Sequence, residues 1–278
     1  MGSNIHPTAL VEDGAQIDPT AIVGPYCVIS SKARLGPGTR LMNHVTLQGK
    51  VKLGLKNTVH PNAVIGGDPQ DLHHDGGETE VSVGDNNVIR ECVTISRGTS
   101  HGTGRTVVGN GNYLMACSHV AHDCILGNDI ILANCALLAG HVKVEDHAYL
   151  SGQVVVHQFA TVGRHAFVTG GARVPRDAPP YMMLYGMDSD VICVNSTGLK
   201  RSGYPAEVLT ALKDAHRIIW SSGLPLPEAI QTLKRMHNGH FKEVQYLIDF
   251  MQNSARGKNG RAREAMRGAN PDKCDQAE

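Results

Sequence analysis

Residues 118–128 read SHVAHDCILGN and hold two histidines three residues apart, His119 and His122, with Asp123 directly after the second. An imidazole titrates near neutral pH, so it can remove a proton from a hydroxyl group or bind a metal ion. A neighbouring carboxylate can fix the imidazole tautomer and stabilise the imidazolium. The pattern predicts either a general base with its carboxylate or part of a metal site. Choosing between a general base and a metal site requires knowing which structural element holds these residues and where their side chains point.

The composition argues against several classes of protein. Lys plus Arg and Asp plus Glu both number 26 in 278 residues, so no charge excess favours nucleic acid or an anionic membrane as partner. No apolar run approaches a membrane span, and we expect no stable membrane insertion. The seven cysteines form no CxxC pair, which favours a reducing compartment. The N-terminus has no basic region followed by a long apolar run, so we see no signal peptide.

An aliphatic residue recurs at every sixth position along two long stretches, residues 5–65 and 108–174. The fifth place of each hexad is mostly small, as at Ala9, Ala15 and Ala21. A period of six fits neither an amphipathic helix nor one continuous strand. It is typical of short strands joined by turns and stacked as a solenoid, with one aliphatic and one small residue per hexad pointing inward.

This repeat resembles that of the hexapeptide-repeat family. The resemblance implies a left-handed parallel β-helix in which three hexads form one triangular coil. We predict this all-β solenoid for residues 4–190. The repeat breaks at residues 66–82 and 96–107, which we interpret as excursions, and loops that leave a rigid scaffold commonly carry function.

The pattern changes after residue 190. Residues 191–256 contain three amphipathic segments separated by Gly or Pro, and they predict a small C-terminal α-helical domain. The segments read PAEVLTALKDAHRIIWSSG, LPEAIQTLKRM and FKEVQYLIDFMQNS. Residues 257–278 are polar, Gly-rich and without a period, so we predict a disordered tail.

The hexad register places the histidines on the outside of the solenoid. Inward residues are the first and fifth of each hexad, and His119, His122, His141 and His157 occupy other places. If one coil takes three hexads, His122, Gly140 and Gln158 stack in a column. His141 and His157 flank this column, so we expect a cluster of imidazoles along one edge.

Two kinds of site remain open for this cluster. Some hexapeptide-repeat proteins, the gamma-type carbonic anhydrases, bind zinc with three histidines across a subunit interface, and His119, His122 and His141 could supply such ligands. The His-x-x-His spacing and the long C-terminal helices are not typical of that group. General-base catalysis fits better, with the Gly140 backbone N–H available to stabilise an oxyanion.

Longer motifs give a more specific resemblance. They are PQDL, NVIRECVTISRGT, HVAHDCILGN, ANCALLAGHV, VVHQF and NSTGLKRSG. Over residues 4–255 the chain resembles the family of acyl-carrier-protein-dependent UDP-N-acetylglucosamine O-acyltransferases, which begin lipid A synthesis. The resemblance implies a cytoplasmic homotrimer whose partners are acyl carrier protein and a UDP-sugar, with no cofactor and no metal.

The resemblance also implies roles for individual residues. His122 is expected to be the general base, with Asp123 beside it and the Gly140 N–H as oxyanion donor. Gly170 matches the position that limits acyl-chain length. The residues expected to bind the UDP-sugar are Gln70, Asp71, His73, His119, His141, His157, Gln158, Asn195 and Arg201.

Four positions depart from the family pattern: His73, Ser96, Thr197 and Ser202. Three of them are expected near the nucleotide sugar. The residues expected to be catalytic match the family pattern, so the resemblance implies the reaction type, acyl transfer. It does not determine the acceptor atom of the sugar. Acylation of a 3-amino UDP-sugar, which gives an amide, stays open beside the 3-hydroxyl acceptor. A noncatalytic hexapeptide scaffold is a further alternative, but it has no need of the intact His122 column.

Overall fold

Short parallel strands wind into three faces in the computed structural model of the chain, which describes residues 4–266. Face 1 contains the strands Leu10–Val11, Val28–Ile29, Thr46–Leu47, Val64–Gly67, Thr94–Ser96, His119–Val120, Leu137–Leu138, Val155–Val156 and Arg173–Val174. Face 2 contains Gln16–Ile17, Arg34–Leu35, Lys50–Leu53, Glu80–Val83, Arg105–Val108, Ile125–Leu126, Lys143–Val144 and Thr161–Val162. Face 3 contains Ile22–Val23, Arg40–Leu41, Thr58–Val59, Val88–Ile89, Tyr113–Leu114, Ile131–Leu132, Tyr149–Leu150, Phe167–Val168, Met182–Tyr185 and Asp190–Val194.

The hexad explains this architecture. Strands on one face pair in parallel with a register of three hexads, as in His119↔Leu137 and Leu137↔Val155. The second residue of each two-residue strand points inward, so Leu126 and Leu138 are almost completely buried. The strands alternate with tight turns that use left-handed backbone conformations, for example at Asp123. The prediction of a left-handed parallel β-helix followed by a small helical region is confirmed.

The two excursions are shorter than the sequence predicts. Strand pairing continues into both predicted segments, because Glu80 pairs with Lys50 below it and with Arg105 above it. The loops that leave the β-helix are therefore residues 68–79 and 97–104. These strand ends were predicted as loop because their sequences are polar. A face that contacts solvent can hold charged outward residues, so a polar sequence there is compatible with a strand.

A β-hairpin and the helical region follow the last coil. The strands Met182–Tyr185 and Asp190–Val194 pair antiparallel, so the sheet extends past the predicted boundary at residue 190. Residues 4–266 then contain four α-helices: α1, Ser196–Arg201; α2, Ala206–His216; α3, Leu226–Arg235; and α4, Lys242–Arg256. A π-helical turn, Arg217–Ser221, continues α2, and a 3-10 turn, His237–His240, precedes α4. The three predicted helices are α2, α3 and α4, and the short α1 was not predicted.

Helix α4 is joined to face 2 by polar contacts. The Tyr246 hydroxyl donates to the Glu145 carboxylate at 2.5 Å, and the Arg164 guanidinium lies 4.2 Å from the centre of the Tyr246 ring. Among residues 4–266, no helix has the length and the hydropathy needed to cross a bilayer.

The segment after α4 differs from the predicted disordered tail. Residues 257–266 pack against the end of the β-helix and finish in a 3-10 helix, Ala262–Met266. The Asp177 N–H donates to the Gly260 carbonyl, and the Ala262 N–H donates to the Asp177 carboxylate at 2.8 Å. Two charged residues of the segment, Arg261 and Glu264, form a buried ion pair, which a compositional argument cannot detect. The rest of the predicted tail, residues 267–278, lies outside the described residues.

Candidate active site

His122 and Asp123 form a buried pair on the edge where face 1 turns into face 2. They occupy the turn between the strands His119–Val120 and Ile125–Leu126. His122 Nδ1 lies 2.9 Å from Asp123 Oδ2. The His122 side chain is 12% exposed, and the Asp123 side chain is completely buried. The positive φ of Asp123 turns its carboxylate back beneath the loop that follows residue 96.

That loop supplies the groups that keep Asp123 ionised. Thr99 donates its N–H and its hydroxyl to Oδ2, and Thr103 donates its N–H and its hydroxyl to Oδ1. Burial alone opposes ionisation of the Asp123 carboxyl. The hydrogen bonds from His122, Thr99 and Thr103 outweigh it and hold the pKa of this carboxyl well below its usual value.

The ionised carboxylate determines which nitrogen of His122 can act as a base. A carboxylate accepts hydrogen bonds, so Nδ1 carries the proton that is donated to Asp123. The lone pair of the neutral imidazole is then on Nε2. This arrangement suits proton removal by Nε2, with Asp123 stabilising the imidazolium that forms.

Gly140 lies directly against His122 on the next coil. A Cβ atom at residue 140 would lie 2.5 Å from His122 Cε1 and 2.6 Å from Nε2, so any side chain there would displace the imidazole. The Gly140 N–H makes no hydrogen bond within residues 4–266. A free N–H beside the basic nitrogen is what an oxyanion donor requires.

His141 and His119 complete the cluster around the pair. The His141 ring meets the His122 ring edge-on at 5.1 Å and stacks on Phe159 at 4.5 Å. Burial is the main cause that lowers the pKa of His141, and the nearby charge of Asp123 opposes this shift. Burial, followed by repulsion from His122, also lowers the pKa of His119. Both imidazoles are therefore neutral near pH 7.

Further contacts fix the orientation of His119 and of residues on the third coil. His119 Nδ1 lies 2.7 Å from the Thr94 hydroxyl. His157 Nδ1 lies 2.9 Å from the Gln158 carbonyl oxygen. The His141 N–H donates to the His122 carbonyl, and the Phe159 N–H donates to the Gly140 carbonyl, which places the three coils in the expected column.

The loop of residues 68–79 contacts the loop of residues 97–104 through polar side chains. Asp71 Oδ2 lies 3.0 Å from His101 Nε2, and the Ser100 hydroxyl donates to the Asp75 carboxylate at 2.7 Å. His73 lies beside Asp71, with Nδ1 3.3 Å from Oδ1, although 85% of its side chain is exposed. Gln70 is exposed in the same loop. The loop of residues 68–79 therefore holds the loop that surrounds Asp123.

Sequence reasoning missed three residues of this network: Thr99, Thr103 and His101. Thr99 belongs to the RGT motif, and the motif alone could have drawn attention to it. Nothing in the hexad pattern places an excursion around the carboxylate of another coil.

Comparison with known proteins identifies the family. A curated acyl-[acyl-carrier-protein]–UDP-N-acetylglucosamine O-acyltransferase from Thermodesulfovibrio yellowstonii is 42% identical over 255 residues, which cover 92% of this chain and 98% of the relative. The chain belongs to the UDP-N-acetylglucosamine O-acyltransferase family. The family model described as "Udp N-acetylglucosamine O-acyltransferase; Domain 2" matches residues 177–258.

Solved structures of this acyltransferase family share the fold over about nine-tenths of the chain. The UDP-N-acetylglucosamine acyltransferase of Bacteroides fragilis is 36% identical with a TM-score of 0.87, covering 90% of this chain and 97% of that one. The Francisella novicida enzyme is 39% identical with a TM-score of 0.85, covering 89% of this chain and 91% of that one.

Three residues that the acyltransferase resemblance assigns lie apart from His122. Asn195 is the N-cap of α1: its side-chain carbonyl accepts from the Gly198 N–H, and its side-chain amide donates to the His165 carbonyl. Both ends of this side chain are thus used within the chain. Arg201 is exposed at the end of α1. Gly170 is exposed on the edge between faces 3 and 1, where a Cβ would only touch the Gly152 carbonyl at 3.5 Å.

The alternative of a zinc site can be tested against the donors. Within residues 4–266, the one group of three candidate ligands is His122, Asp123 and His141, and it does not include His119. His119 Nδ1 is occupied by Thr94. The Asp123 oxygens already accept five hydrogen bonds, from His122, Thr99 and Thr103. A zinc ion would have to displace some of them, so these residues do not fit a structural or catalytic metal.

Proposed function

We propose that this acyltransferase transfers a 3-hydroxyacyl chain from acyl carrier protein to the 3-hydroxyl of UDP-N-acetylglucosamine, the first step of lipid A synthesis, in the cytoplasm. The observation that carries the proposal is the buried His122–Asp123 pair with the free Gly140 N–H beside it. The 42% identical relative is an acyl-[acyl-carrier-protein]–UDP-N-acetylglucosamine O-acyltransferase, which supports both substrates.

The residues support a single-displacement reaction. His122 Nε2 removes the proton of the sugar hydroxyl as its oxygen attacks the thioester carbonyl carbon. The carbonyl oxygen becomes an oxyanion, which accepts a hydrogen bond from the Gly140 N–H. When the tetrahedral intermediate collapses, the C–S bond breaks, and the imidazolium returns its proton to the leaving thiolate. Asp123 stays ionised and stabilises the imidazolium.

Two outer surfaces of the β-helix support a homotrimer. The outward residues of face 1 include Leu10, Val28, Leu137 and Val155, all more than a third exposed. Face 3 presents outward aliphatic and aromatic residues such as Ile22, Ile131, Tyr149 and Phe167. Face 2 presents mainly charged and polar ones such as Gln16, Arg34 and Lys143. In a ring of three, each subunit meets its two neighbours through two different surfaces, which faces 1 and 3 would provide.

The same arrangement gives the acyl chain a place to bind. Face 1 separates the edge that carries His122 from the edge that carries Gly170, and its exposed Leu137 and Val155 lie between them. An acyl chain that starts at His122 would cross this apolar strip toward Gly170. A neighbouring subunit over face 1 would remove the chain from water, which is favourable for each methylene by about 0.8 kcal/mol.

An amide-forming reaction on a 3-amino UDP-sugar is the second candidate. It is favoured by the departures from the family pattern, above all by His73, which is mostly exposed near Asp71. The chemistry at His122 is the same in both cases, so the acceptor atom must be read from the product.

The test is acyl transfer by the purified protein from 3-hydroxyacyl carrier protein, with UDP-N-acetylglucosamine and its 3-amino analogue in parallel. We expect an ester product by mass spectrometry, and transfer to the amino sugar alone would replace the ester proposal by the amide one. His122→Ala should lower turnover by several orders of magnitude while the protein stays folded, because the side chain points outward from the core of the β-helix. Near-normal turnover of that variant would remove the general-base assignment.

A further inference from the structure

The segment of residues 257–266 extends past the part of the chain that the family model matches, which ends at residue 258. It is anchored by a buried ion pair, because Arg261 and Glu264 are 7% and 2% exposed and lie 2.6 Å apart. Arg261 also donates to the Pro175 carbonyl at 2.5 Å. Breaking a buried pair of this kind costs several kcal/mol, so the anchor holds the segment in one place.

The anchored segment carries Arg263 to the edge with the candidate catalytic residues. Arg263 Nη1 donates to the His141 carbonyl at 2.6 Å, and His141 contacts His122. The charge of Arg263 is one of the causes that lower the pKa of His141. This cation is therefore close to the imidazole cluster of His141 and His122.

Arg263 lacks the partner that a half-buried arginine usually has. No carboxylate of residues 4–266 lies within 4.0 Å of its guanidinium, in contrast to the neighbouring Arg261. Burial is the main cause that lowers the pKa of Arg263, and interactions with Cys124 and with Asp177 oppose this shift only in part. A guanidinium has five N–H donors in a planar fork that fits phosphate oxygens. One donor is used for His141, and the fork can still bind an anion.

We propose that Arg263 binds a phosphate group of a substrate at the edge of the active site. The inference rests on the proposed function, because both proposed substrates carry phosphate: the UDP-sugar has a diphosphate, and the arm of acyl carrier protein has a phosphodiester. Charge-assisted bonds from arginine to phosphate are about twice as strong as neutral ones. The segment thus adds a binding residue to the site from outside the region that the family model matches.

The experiment compares Arg263→Ala and Arg263→Lys with the wild-type full-length chain. The matched control is Arg256→Ala, which removes the same charge from an exposed position at the end of α4. KM is measured separately for UDP-N-acetylglucosamine and for acyl carrier protein. We expect Arg263→Ala to raise one of the two KM values about tenfold, which a lost interaction of about 1.4 kcal/mol predicts. Its kcat should stay within about threefold, Arg263→Lys should recover part of the loss, and Arg256→Ala should behave as wild type.

The two arms identify the source of the phosphate. A rise in KM for the nucleotide sugar alone assigns Arg263 to the diphosphate, and a rise for the carrier protein alone assigns it to the phosphodiester. Unchanged KM values overturn the inference. A fall in kcat with constant KM also overturns it, because Arg263 would then act only by holding His141.

Calorimetric binding of UDP-N-acetylglucosamine and of acyl-phosphopantetheine separates this inference from the proposed function. One outcome supports the inference and contradicts the proposed reaction. In that outcome the wild-type protein binds one of the probes, Arg263→Ala binds the same probe about tenfold more weakly, and neither protein transfers an acyl chain. If neither affinity changes in Arg263→Ala, the inference fails whatever the enzyme catalyses.

Discussion

Gly140→Ala tests how the imidazole of the proposed general base, His122, is held. The added Cβ would lie 2.5 Å from His122 Cε1 and 2.6 Å from Nε2, and 3.2 Å from Nδ1. Non-bonded carbon atoms prefer separations of about 3.5–4.0 Å, so the ring must retreat by about 1 Å. The retreat also disturbs the 2.9 Å hydrogen bond to Asp123.

A displacement of about 1 Å in a catalytic group can cost a hundredfold in rate. We therefore expect kcat for acyl transfer to fall about hundredfold, which corresponds to about 2.7 kcal/mol of lost transition-state stabilisation. KM for both substrates should change by less than about threefold, because neither binding surface is altered. The assay is steady-state transfer from acyl carrier protein at saturating nucleotide sugar, with the thermal midpoint measured on the same preparation.

Gly152→Ala is the matched control. Its Cβ would meet only the Asn134 carbonyl at 3.4 Å, an ordinary contact on a different edge of the β-helix. This variant should keep wild-type kcat. If Gly140→Ala folds normally and keeps kcat within threefold of wild type, the close packing of Gly140 against His122 is not needed for the reaction, and the geometric reasoning is wrong.

Three other perturbations follow from the same structure. Asp123→Asn should lower turnover by about 10⁴-fold, as loss of the carboxylate does in hydrolytic triads, and single-turnover kinetics that equal wild type would contradict its role. Burial is the main cause that lowers the pKa of His165 to about 4, so His165 takes up a proton at a higher pH in the unfolded chain than in the folded one. Thermal stability should therefore fall as the pH drops from about 6.5 to 4. In calorimetry, His165→Phe should flatten this dependence of the thermal midpoint on pH. Leu137→Asp on face 1 should dissociate the proposed trimer and abolish transfer, while Arg34→Glu on face 2 should do neither. Light scattering measures the oligomeric state, and the activity assay is run on the same samples. A Leu137→Asp variant that stays active and trimeric would refute the assignment of face 1 to the interface.

The solenoid and the column of His122 and Gly140 could be predicted because both follow from periodicity. A period of six fixes which side chains point inward, and a coil of three hexads brings His122 next to Gly140. The contact between His122 and Asp123 also follows, since the two residues share one turn. The family resemblance named the same residues, but the register alone put the histidines on the outside.

Residues whose role depends on tertiary contacts outside the repeat could not be predicted in the same way. Asn195 fits the family motif, yet the structure shows its side chain as the N-cap of α1 and as a donor to His165. The charged residues Arg261 and Glu264 read as a solvated tail in the sequence, but they form a buried ion pair. A compositional argument treats each charge alone, whereas burial becomes possible only when the partner is placed.

The burial of Asp123 shows why the two loops that interrupt the hexad repeat are part of the candidate active site. Outward positions of a solenoid face solvent, so the repeat alone would leave this carboxylate hydrated and free to rotate. The loop of residues 97–104 surrounds it with the N–H and hydroxyl groups of Thr99 and Thr103, which fix its orientation and keep it ionised at zero exposure. The loop of residues 68–79 holds that loop through the contact between Asp71 and His101. Each excursion interrupts the hexad because the repeat cannot bury an outward carboxylate by itself, and the buried carboxylate orients the His122 imidazole through the hydrogen bond to Nδ1.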